Sequence, residues 1–163
     1  LFMNKSFIFI YLLAFLLCSL CNAQTSARVE FATQCLGVEE DGSQTVRAWG
    51  FGKKKSDAIE QAKKNAVRDV LFRGIQDGME GCNTRPIINE PNAREKHAAY
   101  FNKFFSDDGK YEKYVSTKDE KRKSREHVES SMGTRWSVVL RIDCWKLKER
   151  MIKDGILPKP NQK

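Results

Sequence analysis

The fold of this chain is decided by residues 46–72, which read VRAWGFGKKKSDAIEQAKKNAVRDVLF. An alternating apolar run ends at Gly50-Phe51-Gly52, and a lysine triplet then leads into a long alanine-rich stretch. The apolar residues of that stretch recur at the three- and four-residue spacing of a buried helical stripe. They are Ala58, Ile59, Ala62, Ala66, Val67, Val70 and Leu71. Residues 46–72 therefore predict a strand, a tight turn and a long amphipathic helix capped by Ser56 or Asp57.

Another strand is predicted immediately upstream. Residues 28–37 alternate in polarity, as a strand does when one of its faces is buried. The pair Asp41-Gly42 follows and is a strong signal for the tight turn of a β-hairpin. Residues 45–50 are therefore predicted to pair antiparallel with residues 28–37.

The C-terminal third predicts a second hairpin and a closing helix. Residues 135–144 alternate, and their apolar members share the face that we expect in the core. These members are Trp136, Val138, Leu140, Ile142 and Cys144. Residues 126–131 are the predicted hairpin partner. Residues 145–153 form the closing helix, since Gly155 follows them and glycine commonly ends helices.

Residues 82–117, between the two hairpins, look like a helical insertion. A loop with two prolines precedes a helical pattern at residues 92–105 and one further short helical turn. The six aromatic residues of the helical part, called the aromatic cluster below, are Tyr100, Phe101, Phe104, Phe105, Tyr111 and Tyr114. Their helical spacing favours packing onto the domain, and an exposed binding surface is the alternative.

These elements predict an α+β fold. The chain has 163 residues, enough for one domain, and its 40% hydrophobic and 31% charged residues are typical of globular proteins. We expect a mainly antiparallel sheet of about four strands in two hairpins, with the long helix packed on one face. The helical insertion and the C-terminal helix complete the fold.

The N-terminal segment predicts export. Met3-Asn4-Lys5 is a short positive region, residues 7–20 are an apolar core, and Ala23 is a small residue before Gln24. We interpret residues 1–23 as a cleaved signal peptide and residues 24–163 as a single envelope domain, periplasmic or secreted. Lipid attachment at Cys21 and an uncleaved anchor are the alternatives. The apolar run is shorter than the about 20 residues of a spanning helix, so we expect no transmembrane span after cleavage.

Three cysteines would remain after cleavage before Gln24: Cys35, Cys82 and Cys144. An oxidising compartment favours one disulfide and one free thiol. Cys35 with Cys82 is the preferred pair, because both lie near the ends of predicted elements while Cys144 lies in a predicted buried strand. The other pairings and three unpaired buried thiols stay open.

Two basic runs suggest an anionic partner, since the formal net charge is +8. The lysine turn comprises Lys53, Lys54 and Lys55, and the distal basic run comprises Lys121, Arg122 and Lys123. If they form one patch, it is either a solvated face or an anion site in the envelope, and an anion-binding protein for acidic lipid or glycan is an alternative function. Nucleic acid is not expected as a partner, because export removes the chain from it. A nucleotide is not expected either, because Gly50-x-Gly52 lacks both the third glycine of a dinucleotide fingerprint and a P-loop ending.

The residues offer little for catalysis. His97 and His127 are the only histidines, and no CxxC or HExxH spacing occurs. We therefore predict no catalytic, cofactor-binding or metal-binding residues, and no cofactor. A cysteine nucleophile activated by a histidine is the alternative that defines an envelope enzyme or thiol protein.

The stretch that decides the fold also carries a resemblance. A hairpin strand ending in G-x-G, followed by D-A-I-x-x-A-x-x-x-A-V, resembles a small envelope-lipoprotein module of Gram-negative bacteria and is similar to the N-terminal domain of the flagellar assembly protein FlgT. The matching residues are Gly50, Gly52, Asp57, Ala58, Ile59, Ala62, Ala66 and Val67. The whole chain is also similar to uncharacterised secreted proteins of Bacteroidota. The resemblance implies a compact sheet-and-helix fold and a non-catalytic role in binding or assembly. The implied partner is another envelope protein or an anionic envelope component.

Overall fold

The computed structural model describes residues 31–121 and 124–159. The predicted signal peptide with Cys21, residues 28–30, Arg122 and Lys123 lie outside the described residues. From Thr33 onward the described residues belong to one compact unit. Its fold is α+β, as predicted. The helices are α1 (Lys55–Phe72), α2 (Ala93–Lys96), α3 (Ala98–Phe104) and α4 (Cys144–Lys153), with a 3-10 helix at Lys110–Tyr114. The strands are β1 (Gln34–Val38), β2 (Gln44–Gly52), β3 (Asp77–Gly78), β4 (Val115–Ser116), β5 (His127–Ser130) and β6 (Gly133–Ile142).

The strands form a six-stranded sheet with the order β3-β1-β2-β6-β4, and β5 also pairs with β6. Both predicted hairpins are present, as β1–β2 and β5–β6. In the first turn the Glu39 N–H donates to the Ser43 carbonyl at 2.8 Å, and Gly42 has a φ of 77°, which glycine adopts without strain. Two strands of two residues each were not predicted. One of them, β3, lies parallel to β1, so the sheet is mixed.

Helix α1 lies on the face of the sheet that carries Gly50. The predicted stripe is confirmed: Ala58, Ala62, Ala66, Val67, Val70 and Leu71 are buried, and Ile59 is half-buried. A Cβ atom added to Gly50 would lie 2.0 Å from the Ala58 carbonyl oxygen and 2.3 Å from the Ala62 nitrogen. The helix backbone and the strand are thus in direct contact, which only glycine in the strand and alanine in the helix allow.

The predicted N-cap of α1 is wrong. The helix begins at Lys55, so the cap position belongs to Lys54, whose ammonium side chain has no acceptor for the helix N–H groups. Asp57 instead accepts from the Lys54 backbone N–H at 3.3 Å, and Ser56 is a helical residue. The lysine turn therefore runs directly into the first turn of the helix.

Two further predicted elements differ in their bounds. Cys144 is the first residue of α4, and Asp143 caps that helix by accepting from the Lys146 N–H at 2.9 Å. This cap ends β6 at Ile142, two residues earlier than hydrophobic alternation suggested. The single helix predicted at residues 92–105 is two short helices, because His97 has φ −110° and ψ 34°, outside the helical range.

The aromatic cluster packs as expected and forms one end of the core. Phe101, Phe104 and Tyr111 are at most 2% exposed, and Phe105 is buried as well. The ring centroids of Phe72 in α1 and Phe101 in α3 are 4.9 Å apart in an edge-to-face arrangement. The cluster is therefore core, and its exposed-surface alternative does not apply.

The structure joins Cys35 and Cys82 in a disulfide, with their Cα atoms 5.8 Å apart. This is the pair preferred from the sequence. The bond links β1 to the loop after β3 across a separation of 47 residues, so it ties the start of the insertion to the sheet. Cys144 is a free thiol and is buried.

Candidate functional site

A basic cleft of about 560 Å³ lies at one end of the sheet. Its position follows from the register of β2 and β6, in which Gly52 pairs with Thr134. The chain leaves β2 into the lysine turn at the same end where β5 turns into β6. One wall of the cleft is the lysine turn, and the other is the β5–β6 turn (residues 129–134) with Trp136.

The lysine turn is exposed and has uncompensated charge. Within residues 31–121 and 124–159, none of its three ammonium groups forms an ion pair. By contrast, Lys63, Lys64 and Lys96 each lie within 3.1 Å of a carboxylate. Glu129 is the single carboxylate among the described residues that line the cleft. The cleft therefore presents a net positive charge to solvent.

Trp136 is not in the core, contrary to the prediction. The ring is half-buried, and the Lys55 ammonium nitrogen lies 4.0 Å from its centroid in a cation–π contact. The His127 ring stacks on Trp136 with centroids 4.5 Å apart. Hydrophobic alternation placed Trp136 on the correct face of β6, the face that packs against α1. Because α1 begins at Lys55, the indole lies past the N-terminal end of the helix, where the Lys55 side chain covers it.

Two polar atoms beside the lysine turn are buried and have no hydrogen-bond partner among the described residues. They are the indole Nε1 of Trp136 and the hydroxyl oxygen of Thr134. Both residues line the cleft. A buried donor without an acceptor is energetically costly.

The described residue of the distal basic run does not reach the cleft. Of its residues only Lys121 is described; it is exposed and does not line the cleft. The loop that carries Lys121 is held beside another part of β6. There Asp119 pairs with Arg141 at 2.6 Å, and the Glu126 N–H donates to the Ser137 hydroxyl at 2.8 Å. The two basic runs therefore do not form one patch in the described residues.

The residues considered for catalysis are dispersed. Cys144 is 7% exposed, burial raises the pKa of its thiol to about 11, and its sulfur contacts the Ile142 carbonyl oxygen at 3.7 Å. His97 lies at the junction of α2 and α3, and His127 stacks on Trp136. Among the described residues there is no cluster of histidine, cysteine and carboxylate side chains that could hold a metal ion.

Glu129 and Thr134 line the cleft although the sequence did not single them out. The pairing of β5 with β6 brings them there, and it also sets His127 opposite Trp136. The turn at Met132-Gly133 was recognised, and counting the hairpin register outward from it would have placed His127 beside Trp136. Placing the hairpin beside the lysine turn requires the register of β2 with β6, which no local signal specifies.

Comparison with known proteins gives no relative. No family model matches the chain, and no curated protein or solved structure matches it significantly. Within the described part of the chain, none of the helices has the length and apolar character needed to cross a membrane.

Proposed function

We propose that this protein is a non-catalytic binding module of the cell envelope that holds an anionic ligand at the basic cleft. The observation that carries the proposal is the lysine turn, whose three exposed ammonium groups form one wall of a cleft and have no ion-pair partner in the part of the chain that the structure describes. Uncompensated like charges on one short turn repel one another, and an anion that binds between them relieves this repulsion.

The chemistry of the cleft favours oxygen anions. Each lysine ammonium has three N–H donors and adapts to phosphate, sulfate or carboxylate oxygens without a fixed geometry. Trp136 keeps Lys55 over its ring, which limits the freedom of one donor before the ligand arrives. An acidic lipid headgroup and an acidic glycan both have this chemistry.

The proposed address is the cell envelope, either periplasmic or secreted. The disulfide between Cys35 and Cys82 supports it, because such bonds persist in oxidising compartments. The partner would be another envelope protein or an anionic envelope component, and the resemblance to envelope-lipoprotein modules is consistent with both.

The test replaces the lysine turn by alanine in one variant, Lys53→Ala/Lys54→Ala/Lys55→Ala. The matched control is Lys110→Ala/Lys113→Ala/Lys118→Ala, which removes the same charge from exposed lysines outside the cleft. We expect the first variant to elute from a heparin column at clearly lower salt than the control, with a weaker dependence of affinity on salt. Equal elution of the two variants would refute the proposal.

The alternative is a cysteine-dependent enzyme or thiol protein. Its candidate nucleophile is Cys144, which is buried and whose raised pKa keeps it protonated at neutral pH. We expect iodoacetamide at pH 8 to leave Cys144 unlabelled in the native protein and to label it in urea, as measured by peptide mass spectrometry. Rapid labelling of Cys144 in the native protein would favour the alternative.

A further inference from the structure

Three exposed apolar side chains lie at the same end of the sheet as the basic cleft, and one of them, Met132, lines it. We call Phe51, Val128 and Met132 the apolar tip; they are 42%, 47% and 80% exposed. They are half of the six large apolar side chains that are exposed in the described part of the chain, and they lie at the same end of the sheet. The other three are Val38, Met79 and Trp145.

The strand register places two residues of the apolar tip, Phe51 and Val128, on either side of Arg135. Arg135 pairs with Phe51 on one side and with Val128 on the other, so the three side chains form a row across β2, β6 and β5. This row lies on the sheet face opposite α1, because the neighbouring residue Gly50 faces the helix. Met132 lies in the turn that ends β5, next to the row.

The lysine turn begins one residue after Gly52, at the same end of the sheet. The lysine turn and the apolar tip thus share one end of the sheet, with Lys55 over Trp136 on the α1 side and the row of Phe51 and Val128 on the opposite face. We propose that this end of the sheet docks on the surface of an anionic lipid bilayer, an inference that rests on the proposed function and names its ligand. The apolar tip enters the headgroup region, and the lysine turn contacts lipid phosphates.

The composition of this surface fits a bilayer better than a protein partner. The cores of protein interfaces are depleted of lysine, whereas a lysine beside an interface can lay its apolar stem among lipid chains and keep its ammonium group at the headgroups. Exposed apolar residues beside basic residues are the usual combination of peripheral membrane binding, since each alone binds weakly.

The experiment measures sedimentation of the protein with vesicles of phosphatidylcholine alone and of phosphatidylcholine mixed with phosphatidylglycerol. We expect binding only to the mixed vesicles. The alanine variant of the lysine turn should lower the affinity on the order of a hundredfold, from the attraction of three lysines to an anionic surface. Met132→Ser should lower it about fivefold, because an apolar side chain is lost from the interface.

Matched variants distinguish the contribution of the apolar tip to vesicle binding from that of exposed apolar residues elsewhere. Met79→Ser removes a side chain that is 64% exposed away from the cleft and should bind vesicles like wild type. Phe51→Ser should act like Met132→Ser. Because Phe51 packs near Gly133, the melting temperature of Phe51→Ser is compared with that of wild type. Met132→Ser is the deciding variant, because the Met132 side chain is 80% exposed.

The outcomes distinguish the inference from the proposed function. Reduced vesicle binding by both the lysine and the Met132→Ser variants, with heparin binding kept by Met132→Ser, supports bilayer docking. Wild-type affinity of Met132→Ser for mixed vesicles, or heparin binding by a wild-type protein that ignores vesicles, overturns bilayer docking and leaves the anion site standing. A lysine variant that binds heparin and vesicles like its charge-matched control overturns both.

Discussion

The two halves of α1 meet the rest of the protein in opposite ways. In the first half, Ala58 and Ala62 lie against the backbone of Gly50, with no room for one additional carbon atom. In the second half, Phe72 packs edge-to-face on Phe101, and the rings of the aromatic cluster fill a wide space. The comparison shows that small residues fix the distance between helix and sheet at one end, while ring volume supports the helix at the other end. Adding atoms to side chains at the first half should therefore destabilise the protein, and removing atoms from side chains at the second half should destabilise it as well.

The largest effect is expected from Gly50→Ala. The new Cβ atom would lie 2.0 Å from a backbone oxygen of α1, so the whole helix must move. We expect the free energy of unfolding to fall by more than about 4 kcal/mol, in the exceptional range for single substitutions. Urea unfolding followed by circular dichroism measures it.

The control for Gly50→Ala is Gly155→Ala. Gly155 has open space around its Cβ position but a φ of 75°, so the substitution introduces backbone strain without a clash. It should destabilise the protein by only about 1 kcal/mol. If the two variants were equally stable, helix and strand would not be in direct contact at Gly50.

A smaller loss is expected from Phe101→Ala in the second half. The side chain is 2% exposed, and its removal leaves a cavity among aromatic rings. We expect a loss of about 3 kcal/mol, at the low end for phenylalanine because neighbouring rings can relax into the space. Phe51→Ala, at a position 42% exposed, is the matched control and should cost clearly less. Similar losses for both would argue against an aromatic core at this end.

The smallest effect concerns the polar side of α1. Lys64 donates to Asp107 at 2.7 Å, and this hydrogen bond lowers the pKa of the Asp107 carboxyl. Because the pKa is lower in the folded state, the stabilisation is present above the unfolded pKa of about 4 and is lost as pH falls through the folded value. Asp107→Asn should therefore reduce the melting temperature slightly at pH 7 and have a smaller effect at pH 3.

Asp108→Asn provides the control for the Asp107 prediction. Asp108 has a φ of 56°, which asparagine also tolerates, and its carboxylate forms no ion pair within the described residues. Its melting temperature should match wild type at both pH values. An equal effect of the two substitutions would mean that the change comes from the loss of one negative charge, and not from the loss of the ion pair between Lys64 and Asp107.

Features specified by neighbouring residues were predictable. The Asp41-Gly42 turn supplies its own backbone geometry, and the alanine stripe of α1 is encoded by helical spacing. Helix boundaries were harder to predict from the sequence. The N-cap of α1 is Lys54 instead of Ser56 or Asp57, and Cys144 belongs to α4 instead of the preceding strand. A cap depends on where neighbouring elements end as much as on its own residue type, so propensity alone misplaces it by a residue or two.

The candidate site was predicted only in part. The lysine turn was recognised from its charge, and the structure places it in a cleft. Trp136 was assigned to the core because alternation reports which face a residue occupies and does not report how far a covering helix extends. Lys121 was grouped with the lysine turn by composition, yet the Asp119–Arg141 pair holds its loop elsewhere.

The sequence by itself determined the strand-to-helix corner at residues 46–72: glycines in the strand, alanines on the helix and lysines in the turn between them. Local spacing suffices there, because each contact involves residues close in the chain. Only the tertiary structure decided that Gly52 pairs with Thr134, and therefore that the lysine turn, Trp136 and the apolar tip share one end of the sheet. The register between distant strands is set by burial of the whole core, so no short stretch of sequence specifies it.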